Sequence, residues 1–439
     1  MHRVAIVGSG IAGLSAALRL TEQQPDWHIS LFEAGGHFGG HANTVDLTLA
    51  GITHGVDTGF LVHNRRTYPR LIRLFEQLGV EVAESDMSFS VQVPRAGGEP
   101  GLEWSGSSLA SVFAQRRNLL RPRFWRMLSE IVRFNRLATA LARQGADAGL
   151  AMPIGDFLDH HGFGPAFRDD YLLPMIGCIW SCPTDQMLRF PVATLIRFCH
   201  NHGLIQITDR PQWYTVRGGS REYVRRVIER LADARLHTPV VGLQRGLDSV
   251  TLHTPTGAET FDAVVLACHA DQALALLGPD ATRAERGLLG AIRYQPNSAV
   301  LHTDASVLPR RAAAWAAWNY ERAADDRREE ARVCLHYLIN RLQPLPWTEP
   351  VIVSLNPARP IDPQKVHREI SYSHPVFDLA AIEAQRRIGE IQGQRLTWFC
   401  GAWCGYGFHE DGLRAGEDSA DALRTHLVTR PARHLESVA

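Results

Sequence analysis

Lysine is almost absent from this sequence of 439 residues: Lys365 is the only one, and arginine supplies the rest of the positive charge. Lysine and arginine together number 46, as do aspartate and glutamate, so the formal net charge is +0. This balance excludes recognition of nucleic acid, or of an acidic partner, through an overall positive charge. Any electrostatic function must therefore be local.

Long hydrophobic runs are also missing, since no uncharged apolar stretch reaches the length of about 18 residues that a transmembrane helix needs. The first residues, MHRVAIVGSG, form an apolar strand pattern at once and lack the regions of a secretory signal. We therefore expect a cytoplasmic protein. With 45% hydrophobic residues the chain can bury a large core, and its length predicts two or three domains.

The cysteines do not form the pattern of a disulfide framework. They number 7, which is odd, and they are scattered along the chain, so we expect reduced thiols. Two CxxxC pairs, Cys178 with Cys182 and Cys400 with Cys404, and the run CHNH from Cys199, are conceivable metal ligands. Structural zinc sites usually have tighter ligand pairs, so the expectation is buried, inert thiols and no metal.

The clearest motif stands at the start of the chain. VAIVGSG is typical of a strand that ends in glycines, IAGLSAALRL continues at helical spacing, and HISLFEA is typical of a second strand, ending near Glu33. In this β-α-β unit Gly8, Gly10 and Gly13 form GxGxxG, which allows a tight turn, the approach of a pyrophosphate and close packing of helix on strand. The helix start offers N–H groups to phosphate, and Glu33 can accept from ribose hydroxyls. The unit therefore predicts dinucleotide binding.

A second glycine pair, Gly39 and Gly40, follows the acid in AGGHFGGHANT. It has no use in a simple nicotinamide fold, where a crossover would follow, so it favours FAD. These segments resemble the flavin-containing amine oxidase, phytoene desaturase and protoporphyrinogen oxidase superfamily, which carries GGR where this chain has Gly39, Gly40 and His41. More narrowly, VDTGFLVHNRRTYP, AQRRNLLRPRFWRM, FDAVVLACHADQALALL, RYQPNSAVLHTD and FCGAWCGYGFHEDGLR resemble a bacterial branch of predicted NAD/FAD-binding proteins. The resemblance extends over nearly the whole chain.

The resemblance also implies which residues contact the cofactor. VDTGFLV is similar to the segment that passes the flavin ring, and Val240, in the predicted strand LHTPVVGL, is similar to the residue whose backbone meets adenine. FCGAWCGYGFHEDGL is similar to the loop that leads into a helix directed at the flavin, and the start of such a helix offers N–H donors to a reduced, anionic flavin. The expected cofactor-binding residues are Gly8, Ser9, Gly10, Ile11, Ala12, Gly13, Glu33, Ala34, Gly39, Gly40, His41, Gly59, Phe60, Leu61, Val62, Val240, Gly401, Ala402, Phe408 and His409.

The superfamily acts on two main classes of substrate, amines and apolar chains. Many of its amine oxidases keep a lysine that holds water at flavin N5, and the similar strand here, SAVLHTDA, has none. The aromatic pair beside the flavin in amine oxidases is matched by Phe408 and by Tyr372, His374 or Phe377 in SYSHPVFD, and phenylalanine at the first place favours a hydrocarbon. The candidate catalytic bases are His409 and His374, and the candidate substrate-facing residues are Phe408, Tyr372 and Phe377.

Arginine is concentrated between residues 116 and 143, where 8 arginines accompany a single acid, Glu130. A helix that opens near Pro122 would carry Phe124 and Leu128 on its apolar face, beside Trp125. Basic amphipathic helices bind anionic membranes, but surface helices of this kind also pack on their own domain. Both interpretations stay open, and the first predicts a peripheral membrane contact near residues 116–143.

The motifs and the resemblance together predict an α/β fold class, in which a Rossmann-like FAD-binding domain of the amine-oxidase type is interleaved with an α+β substrate domain. We expect the first domain at residues 1–62, 211–290 and 396–427, and the second, with a helical insert, at 63–210 and 291–395. The implied activity is the two-electron oxidation of an apolar substrate by noncovalently held FAD, such as desaturation of a fatty-acyl or phospholipid chain. The alternatives are a flavin amine oxidase, a redox-neutral double-bond isomerase and a non-catalytic FAD- and lipid-binding protein.

Overall fold

The computed structural model describes residues 2–94, 100–144, 152–180, 184–206, 210–322 and 333–429. The chain forms two compact units. Unit 1 comprises Met1–Asn43, Tyr223–Arg293 and Ala381–Ala439, and unit 2 comprises Thr44–Glu222 and Tyr294–Ala380. The functional boundaries predicted from the sequence depend on where the cofactor binds, and they stay a prediction.

The described residues form strands and helices along the whole chain. The strands are β1 (Arg3–Val7), β2 (His28–Phe32), β3 (Thr44–Leu49), β4 (Ile52–Asp57), β5 (His63–Asn64), β6 (Val82–Ser85), β7 (Phe89–Pro94), β8 (Pro100–Ser105), β9 (Trp213–Val216), β10 (Asp233–Arg235), β11 (Gly242–Arg245), β12 (Val250–Thr254), β13 (Gly257–Phe261), β14 (Ala263–Leu266), β15 (Arg293–His302), β16 (Trp318–Glu321), β17 (Cys334–Leu338), β18 (Ile352–Leu355), β19 (Val366–Val376) and β20 (Thr397–Phe399). The α-helices are α1 (Ile11–Gln23), α2 (Pro69–Leu78), α3 (Leu109–Val112), α4 (Pro122–Gln144), α5 (Ile154–His160), α6 (Pro165–Phe167), α7 (Leu173–Trp180), α8 (Thr184–Leu188), α9 (Val192–Asn201), α10 (Arg221–Ile228), α11 (Ala270–Leu277), α12 (Arg283–Gly290), α13 (Ile339–Leu342), α14 (Leu379–Arg387) and α15 (His409–Thr429).

The centre of unit 1 is a parallel sheet of five strands in the order β10-β2-β1-β14-β20. Residues Val4 to Ile6 of the central strand β1 are 0% exposed, as expected for a parallel strand that is covered on both faces. Val4 pairs with Ile29 on one side and with Ala263 on the other. The sheet is therefore assembled from segments that are far apart in the sequence.

Helices α1 and α15 pack closely against each other in unit 1. Gly416 permits the close approach, because a Cβ at this position would lie 2.1 Å from the carbonyl oxygen of Ala12. Two parallel hydrogen bonds of 2.7 Å join the Arg19 guanidinium to the Asp421 carboxylate across the same helix pair. This packing fixes the start of α15 relative to the loop between β1 and α1.

Unit 2 is built on a mixed sheet of seven strands in the order β19-β15-β18-β17-β16-β7-β8, where β16 pairs parallel with β7 and antiparallel with β17. Helix α4 packs against α6 and α9 and buries Phe124, Met127 and Phe134. Leu128, predicted for the apolar face of this helix, is half-buried. The apolar stripe of the arginine-rich helix thus packs on its own unit.

The sequence predictions of local structure have mixed outcomes. The amino-terminal β-α-β unit and the helix from Pro122 are confirmed. The strand predicted through LHTPVVGL is wrong in its first part, because β11 begins only at Gly242. His237 has φ +51° there, and Pro239 has no N–H to donate to a neighbouring strand.

Candidate functional site

Two glycines of the loop between β1 and α1 are required by the fold itself. Gly8 has φ +104°, and a Cβ on it would lie 2.8 Å from the carbonyl oxygen of Ala267. A Cβ on Gly13 would lie 1.9 Å from the carbonyl oxygen of Gly8. These glycines serve the tight turn and the close packing of α1, as the motif predicts.

Gly10 in the same loop has no such internal reason to be glycine. Its φ of −63° and ψ of 174° suit any residue, and in the described part of the chain nothing lies within 4 Å of a Cβ built on it. The open space lies at the start of α1, whose first turn contains no acidic side chain. A cofactor phosphate fits this place, because unpaired N–H groups at a helix start bind anions and the missing side chain lets the anion approach.

Glu33 lies beside this loop, after the end of β2. Its carboxylate accepts hydrogen bonds from the N–H of Ser9, at 3.0 Å, from the Ser9 hydroxyl, and from the N–H of Gly35, at 2.8 Å. Glu33 is half-buried, and a carboxylate offers about four acceptor sites, so it can still accept from a ribose hydroxyl. The sequence predicted this second role and missed the first, the bracing of the glycine loop.

The segment after β10 runs past the same end of the sheet. The N–H of His237 donates to the backbone carbonyl oxygen of Gly35 at 3.1 Å, and the N–H of Thr238 donates to the backbone carbonyl oxygen of Glu33 at 2.8 Å. Val240 follows and is half-buried, whereas Ala34 is exposed. The structure therefore brings Val240 to the neighbourhood of Glu33, and its contact with adenine stays a prediction.

The second glycine pair folds back onto the first loop. Gly39 has φ +116°, and its N–H donates to the carbonyl oxygen of Ser9 at 3.0 Å. Gly40 has φ +58°, and a Cβ on it would lie 3.3 Å from the Cα of Gly10. Both glycines therefore lie beside the open space at Gly10. His41 is half-buried, and its ring centroid lies 6.4 Å from that of His269.

The stretch FCGAWCGYGFHEDGL contains the loop between β20 and α15, residues 400–408, and side chains hold the backbone of this loop in place. The side-chain amide of Gln385 donates to the carbonyl oxygens of Trp403 and Gly405, at 2.7 Å each. The Trp403 indole N–H donates to the carbonyl oxygen of Cys268 at 3.1 Å. Sequence reasoning missed Gln385 and Trp403, because hydrogen bonds between a side chain and a distant backbone group leave no periodic signal.

The same loop contains the predicted contacts Gly401 and Ala402. A Cβ on Gly401 would lie 2.3 Å from the indole nitrogen of Trp403, so glycine is needed for this packing. Gly407 has φ +94°, and its N–H donates to the carbonyl oxygen of Ala402 at 3.1 Å. The loop thus has a defined backbone ahead of α15.

Helix α15 begins at His409, one of the candidate bases. His409 and Tyr223 are both buried, and the Tyr223 hydroxyl lies 3.0 Å from His409 Nε2. Phe408, just before the helix, is half-buried, and its N–H donates to the Asp411 carboxylate at 3.2 Å. Burial raises the pKa of Asp411 to about 6, against the opposing effects of this N–H and of Arg414. The tyrosine contact fixes the ring of His409, and a catalytic role for it stays a prediction.

In unit 2, Asp57 ends β4 just ahead of the predicted flavin segment, residues 59–62. Its carboxylate accepts from the Ser220 N–H at 2.9 and 3.0 Å, from the hydroxyls of Ser220 and Thr44 at 2.7 and 2.6 Å, and from the Gln343 amide at 3.0 Å. Burial raises the pKa of Asp57 to about 6, although the donors of Thr44 and Ser220 lower it. This buried carboxylate fixes the start of the segment.

The structure brings one predicted substrate-facing residue to this segment. The hydroxyls of Thr58 and Tyr372 lie 2.9 Å apart, and both residues are buried. Phe60, Leu61 and Val62 are also buried, with 8%, 6% and 8% of their surface exposed. Gly59, which precedes them, is half-buried. The buried side chains of the predicted flavin segment, Phe60, Leu61 and Val62, are therefore all apolar.

His63 extends this apolar environment. Both of its ring nitrogens are buried and have no hydrogen-bond partner among the described residues. The rings of Phe75 and Phe60 lie 5.2 and 6.4 Å from its own ring. Burial, with a smaller effect of Arg65, lowers the pKa of His63 to about 4, so the ring is neutral at neutral pH.

The remaining candidates of unit 2 lie on and after β19. The Asn297 amide donates to His374 Nδ1 at 2.8 Å, which places the proton of a neutral His374 on Nε2. Phe377 is 4% exposed. Lys365, the single lysine, lies in a short 3-10 turn, where its Nζ is 3.8 Å from the Asp304 carboxylate.

The cysteines that the structure describes are free thiols. Burial raises the pKa of Cys199, Cys268 and Cys404 to about 12, as expected for inert thiols. Cys182, considered with Cys178 as a ligand pair, lies outside the described residues.

The parallel sheet, the open space at Gly10 and the glycine turns around it are typical of a dinucleotide-binding domain. The sequence matches the family model of flavin-containing amine oxidoreductases over residues 11–323, and the chain belongs to this family. It is therefore a FAD-dependent oxidoreductase, which confirms the family and fold class predicted from the sequence. Comparison with curated proteins gives no match.

Solved structures share the fold over almost the whole chain. A protein assigned as a protoporphyrinogen oxidase from Exiguobacterium sp. 255-15 has 16% identity and a TM-score of 0.67, with 97% of this chain and 99% of that chain covered. A CLA-producing fatty acid isomerase from P. acnes has 17% identity and a TM-score of 0.66, with 96% and 98% covered. Cyclohexylamine oxidase from Brevibacterium oxydans IH-35A has 16% identity and a TM-score of 0.66, with 97% and 99% covered. Across the described residues, every helix is too short or too polar to cross a bilayer.

Proposed function

We propose that unit 1 binds FAD noncovalently, with the pyrophosphate at Gly10 and the start of α1, and with a ribose hydroxyl at Glu33. The observation that carries this proposal is the open space at Gly10, which the fold does not require. Noncovalent binding is supported by the thiols nearest to the carboxy-terminal loop. Burial raises the pKa of Cys400 and Cys404, so these sulfurs are protonated and poorly suited to attack a flavin.

Denaturation tests the noncovalent attachment. Acid precipitation of the yellow protein should leave a colourless pellet and release a flavin with the mass of FAD. A pellet that retains the flavin absorbance would contradict noncovalent binding, and release of a mononucleotide would contradict the role of Glu33.

The substrate of this enzyme, in our proposal, is an apolar chain, and the reaction removes two hydrogens from adjacent carbons. The support is the character of the candidate substrate-facing residues: Tyr372, Phe377 and Phe408 are uncharged, and the Asp57 carboxylate is already engaged by donors from three residues. A carboxylate so occupied is a poor partner for the ammonium group of an amine. The lysine of oxygen-coupled amine oxidases is expected in β15, and Lys365 lies outside this strand.

The chemistry divides between cofactor and chain. Bound FAD would supply a two-electron acceptor, and a further acceptor, such as oxygen or a quinone, would be needed to reoxidise it. The chain must position the carbons, exclude water and accept one proton. His409 and His374 are the candidates for the proton, and the ring of His409 is held by the Tyr223 hydroxyl. His374 can accept a proton only at Nδ1, where the hydrogen bond from the Asn297 amide must first break.

Anaerobic reduction distinguishes the substrate classes. A branched fatty acid or a phospholipid should bleach the yellow enzyme, whereas putrescine and cyclohexylamine should not. The product should be two hydrogens lighter than the substrate. Bleaching by the amines alone would contradict the proposal.

Isomerisation of a double bond is the second candidate, because one solved structure with the same fold is a fatty acid isomerase. It predicts a product of unchanged mass and no net reduction of the cofactor. A protein that binds FAD and lipid without bleaching or product would be a carrier.

A surface of unit 2 supports an encounter with lipid. Leu119, Leu120 and Trp125, around the start of α4, are 48%, 87% and 49% exposed, although they are large and apolar. Exposed arginines stand among them, including Arg116 and Arg126. Apolar side chains ringed by arginine are typical of contacts with anionic membranes, where each basic residue contributes about 1 kcal/mol. We call residues 116–126 the basic apolar patch.

Vesicle sedimentation tests this patch. The protein should bind vesicles that contain phosphatidylglycerol and should bind neutral phosphatidylcholine vesicles at least about tenfold more weakly. Leu120→Ser combined with Trp125→Ser should abolish the binding. Leu247→Ser is the matched control, because Leu247 is 92% exposed but lies in unit 1. Equal binding of the double variant and the control would contradict a role for the patch.

A further inference from the structure

Three side chains of different chemistry converge inside unit 2. Glu321 lies on β16, and Cys334 and His336 lie on β17. The Cys334 Sγ is 3.5 Å from His336 Nε2, and the Glu321 carboxylate oxygen Oε2 is 3.1 Å from the same nitrogen. All three residues are at most 2% exposed. Glu321 pairs with Cys334 across the strands, and His336 follows two residues later, so the three side chains share one face of the sheet.

The hydrogen bonds of a neutral His336 account for only part of this arrangement. A neutral imidazole has one nitrogen that donates and one that accepts. If His336 Nε2 carries the proton, it donates to Glu321 and offers no acceptor to the Cys334 thiol. If Nε2 carries no proton, it accepts from the thiol, but its lone pair then faces a carboxylate oxygen at 3.1 Å. Without a metal, the contacts require an imidazolium that donates from Nε2 to Glu321 and from Nδ1 to the Ser354 hydroxyl. A divalent cation among the three atoms would satisfy the contacts of a neutral ring.

The distances agree with those of a tetrahedral zinc site. Zn²⁺ binds thiolate sulfur at about 2.3 Å and imidazole nitrogen at about 2.0–2.1 Å, so neighbouring ligand atoms lie about 3.3–3.6 Å apart. The separations of 3.5 and 3.1 Å in this group are within a few tenths of an ångström of those values. Thiolate, imidazole and carboxylate are also the ligand types that zinc takes in proteins.

Further groups hold each of the three side chains in place. The Ser354 hydroxyl lies 2.6 Å from His336 Nδ1 and can accept its N–H when Nε2 binds a metal. The N–H of Ala358 donates to the Cys334 sulfur at 3.3 Å, which favours a thiolate. The Arg359 guanidinium contacts both oxygens of Glu321 at 2.8 and 3.0 Å. Arg359 opposes a cation, but its side chain is 47% exposed and its charge is partly screened by water.

We propose that Glu321, Cys334 and His336 form a zinc site that joins β16 to β17, with the fourth position taken by water. The two negative ligands would neutralise the dication inside unit 2. The sequence expectation of no metal considered the two CxxxC pairs and the run from Cys199, and it did not consider Cys334 with His336. The proposal does not depend on the substrate of the flavin.

The flavin-loaded, full-length protein is the sample for the test. After incubation with one equivalent of Zn²⁺ and gel filtration, elemental analysis should find about one zinc per chain. X-ray absorption at the zinc edge should show one sulfur neighbour at about 2.3 Å and nitrogen or oxygen neighbours at about 2.0 Å. Retention of no zinc, or a spectrum without a sulfur neighbour, would overturn the proposal, and neither measurement needs a variant.

Variants assign the ligands. Cys334→Ser and His336→Gln should each lower zinc affinity at least about tenfold, as loss of a ligand does. Cys199→Ser is the control, because Cys199 is also buried in unit 2 but lies outside the group. Flavin content and melting temperature show whether each variant is folded. Zinc binding that is unchanged in both folded ligand variants would also overturn the assignment.

Discussion

Gly10 gives the sharpest test of cofactor binding at a single residue. Because its φ suits alanine and nothing described lies near a built Cβ, Gly10→Ala should fold and lose about 1 kcal/mol or less of stability. The added methyl group would occupy the place of the phosphate, so flavin affinity should fall at least about tenfold. Absorbance of bound flavin after gel filtration, with the melting temperature of the flavin-free protein, separates the two effects.

Variants at two other glycines serve as comparisons for Gly10→Ala. Gly13→Ala should cost about 3 kcal/mol or more, because its Cβ would lie 1.9 Å from a backbone oxygen that cannot move. Gly287→Ala, in α12, meets nothing within 4 Å among the described residues and should leave flavin binding unchanged. If Gly10→Ala binds flavin as Gly287→Ala does, the phosphate is not at Gly10.

The loop between β20 and α15 depends on a side chain from another element, Gln385 of α14. Gln385→Ala leaves the carbonyl oxygens of Trp403 and Gly405 without this donor, so the free energy of unfolding should fall by about 1–3 kcal/mol. Flavin affinity should fall as well, since the loop carries the predicted contacts Gly401 and Ala402. Chemical denaturation and flavin titration measure both. Glu383 is exposed on the same helix, so Glu383→Ala should change neither the free energy of unfolding nor that of flavin binding by more than about 0.5 kcal/mol. Equal effects of the two variants would contradict the role of Gln385 in holding the loop.

The junction of β3 and β4 with the rest of unit 2 predicts a pH dependence. The pKa of Asp57 is raised to about 6 in the folded chain, whereas its ordinary value is 3.8. The folded state therefore holds a proton that the unfolded state has lost, and stability falls as pH rises through this window. The stability of the wild type relative to Asp57→Asn should fall by about 3 kcal/mol between about pH 4 and pH 7.

Urea denaturation at several pH values measures this difference. Asp421→Asn supplies the opposite sign, because the hydrogen bond from Arg19 lowers the pKa of Asp421. Its replacement should cost more stability at neutral pH than at low pH. A constant difference between the wild type and Asp57→Asn would show that folding does not raise the pKa of Asp57.

Over the whole molecule, the structure that can be predicted from the sequence is that of elements which follow one another directly along the chain. The unit β1-α1-β2 is predictable because strand, glycine loop and helix follow one another without interruption. The contacts of Asp57 are not predictable, since Thr44, Ser220 and Gln343 come from three separate segments. Register and side-chain contacts between distant segments are set by tertiary packing, which no local period reports. For the same reason, the contact between the Tyr223 hydroxyl and His409 cannot be predicted from the sequence.

The discontinuous sheet of unit 1 leads to a prediction about cooperativity. Strands β1, β14 and β20 come from three separate segments of the chain. The third segment also contains α15, which packs against α1 at Gly416. Gly416→Ala would place a methyl group 2.1 Å from the carbonyl oxygen of Ala12, so α15 must shift at a cost of about 3 kcal/mol. A sheet that forms as one unit should lose amide protection in all three strands by the same free energy.

Hydrogen exchange with mass spectrometry measures this loss of protection, with Asp418→Ala on the exposed face of α15 as the control. If protection falls only in α15, the helix frays independently, and the far end of the chain is not needed to stabilise the first glycine loop.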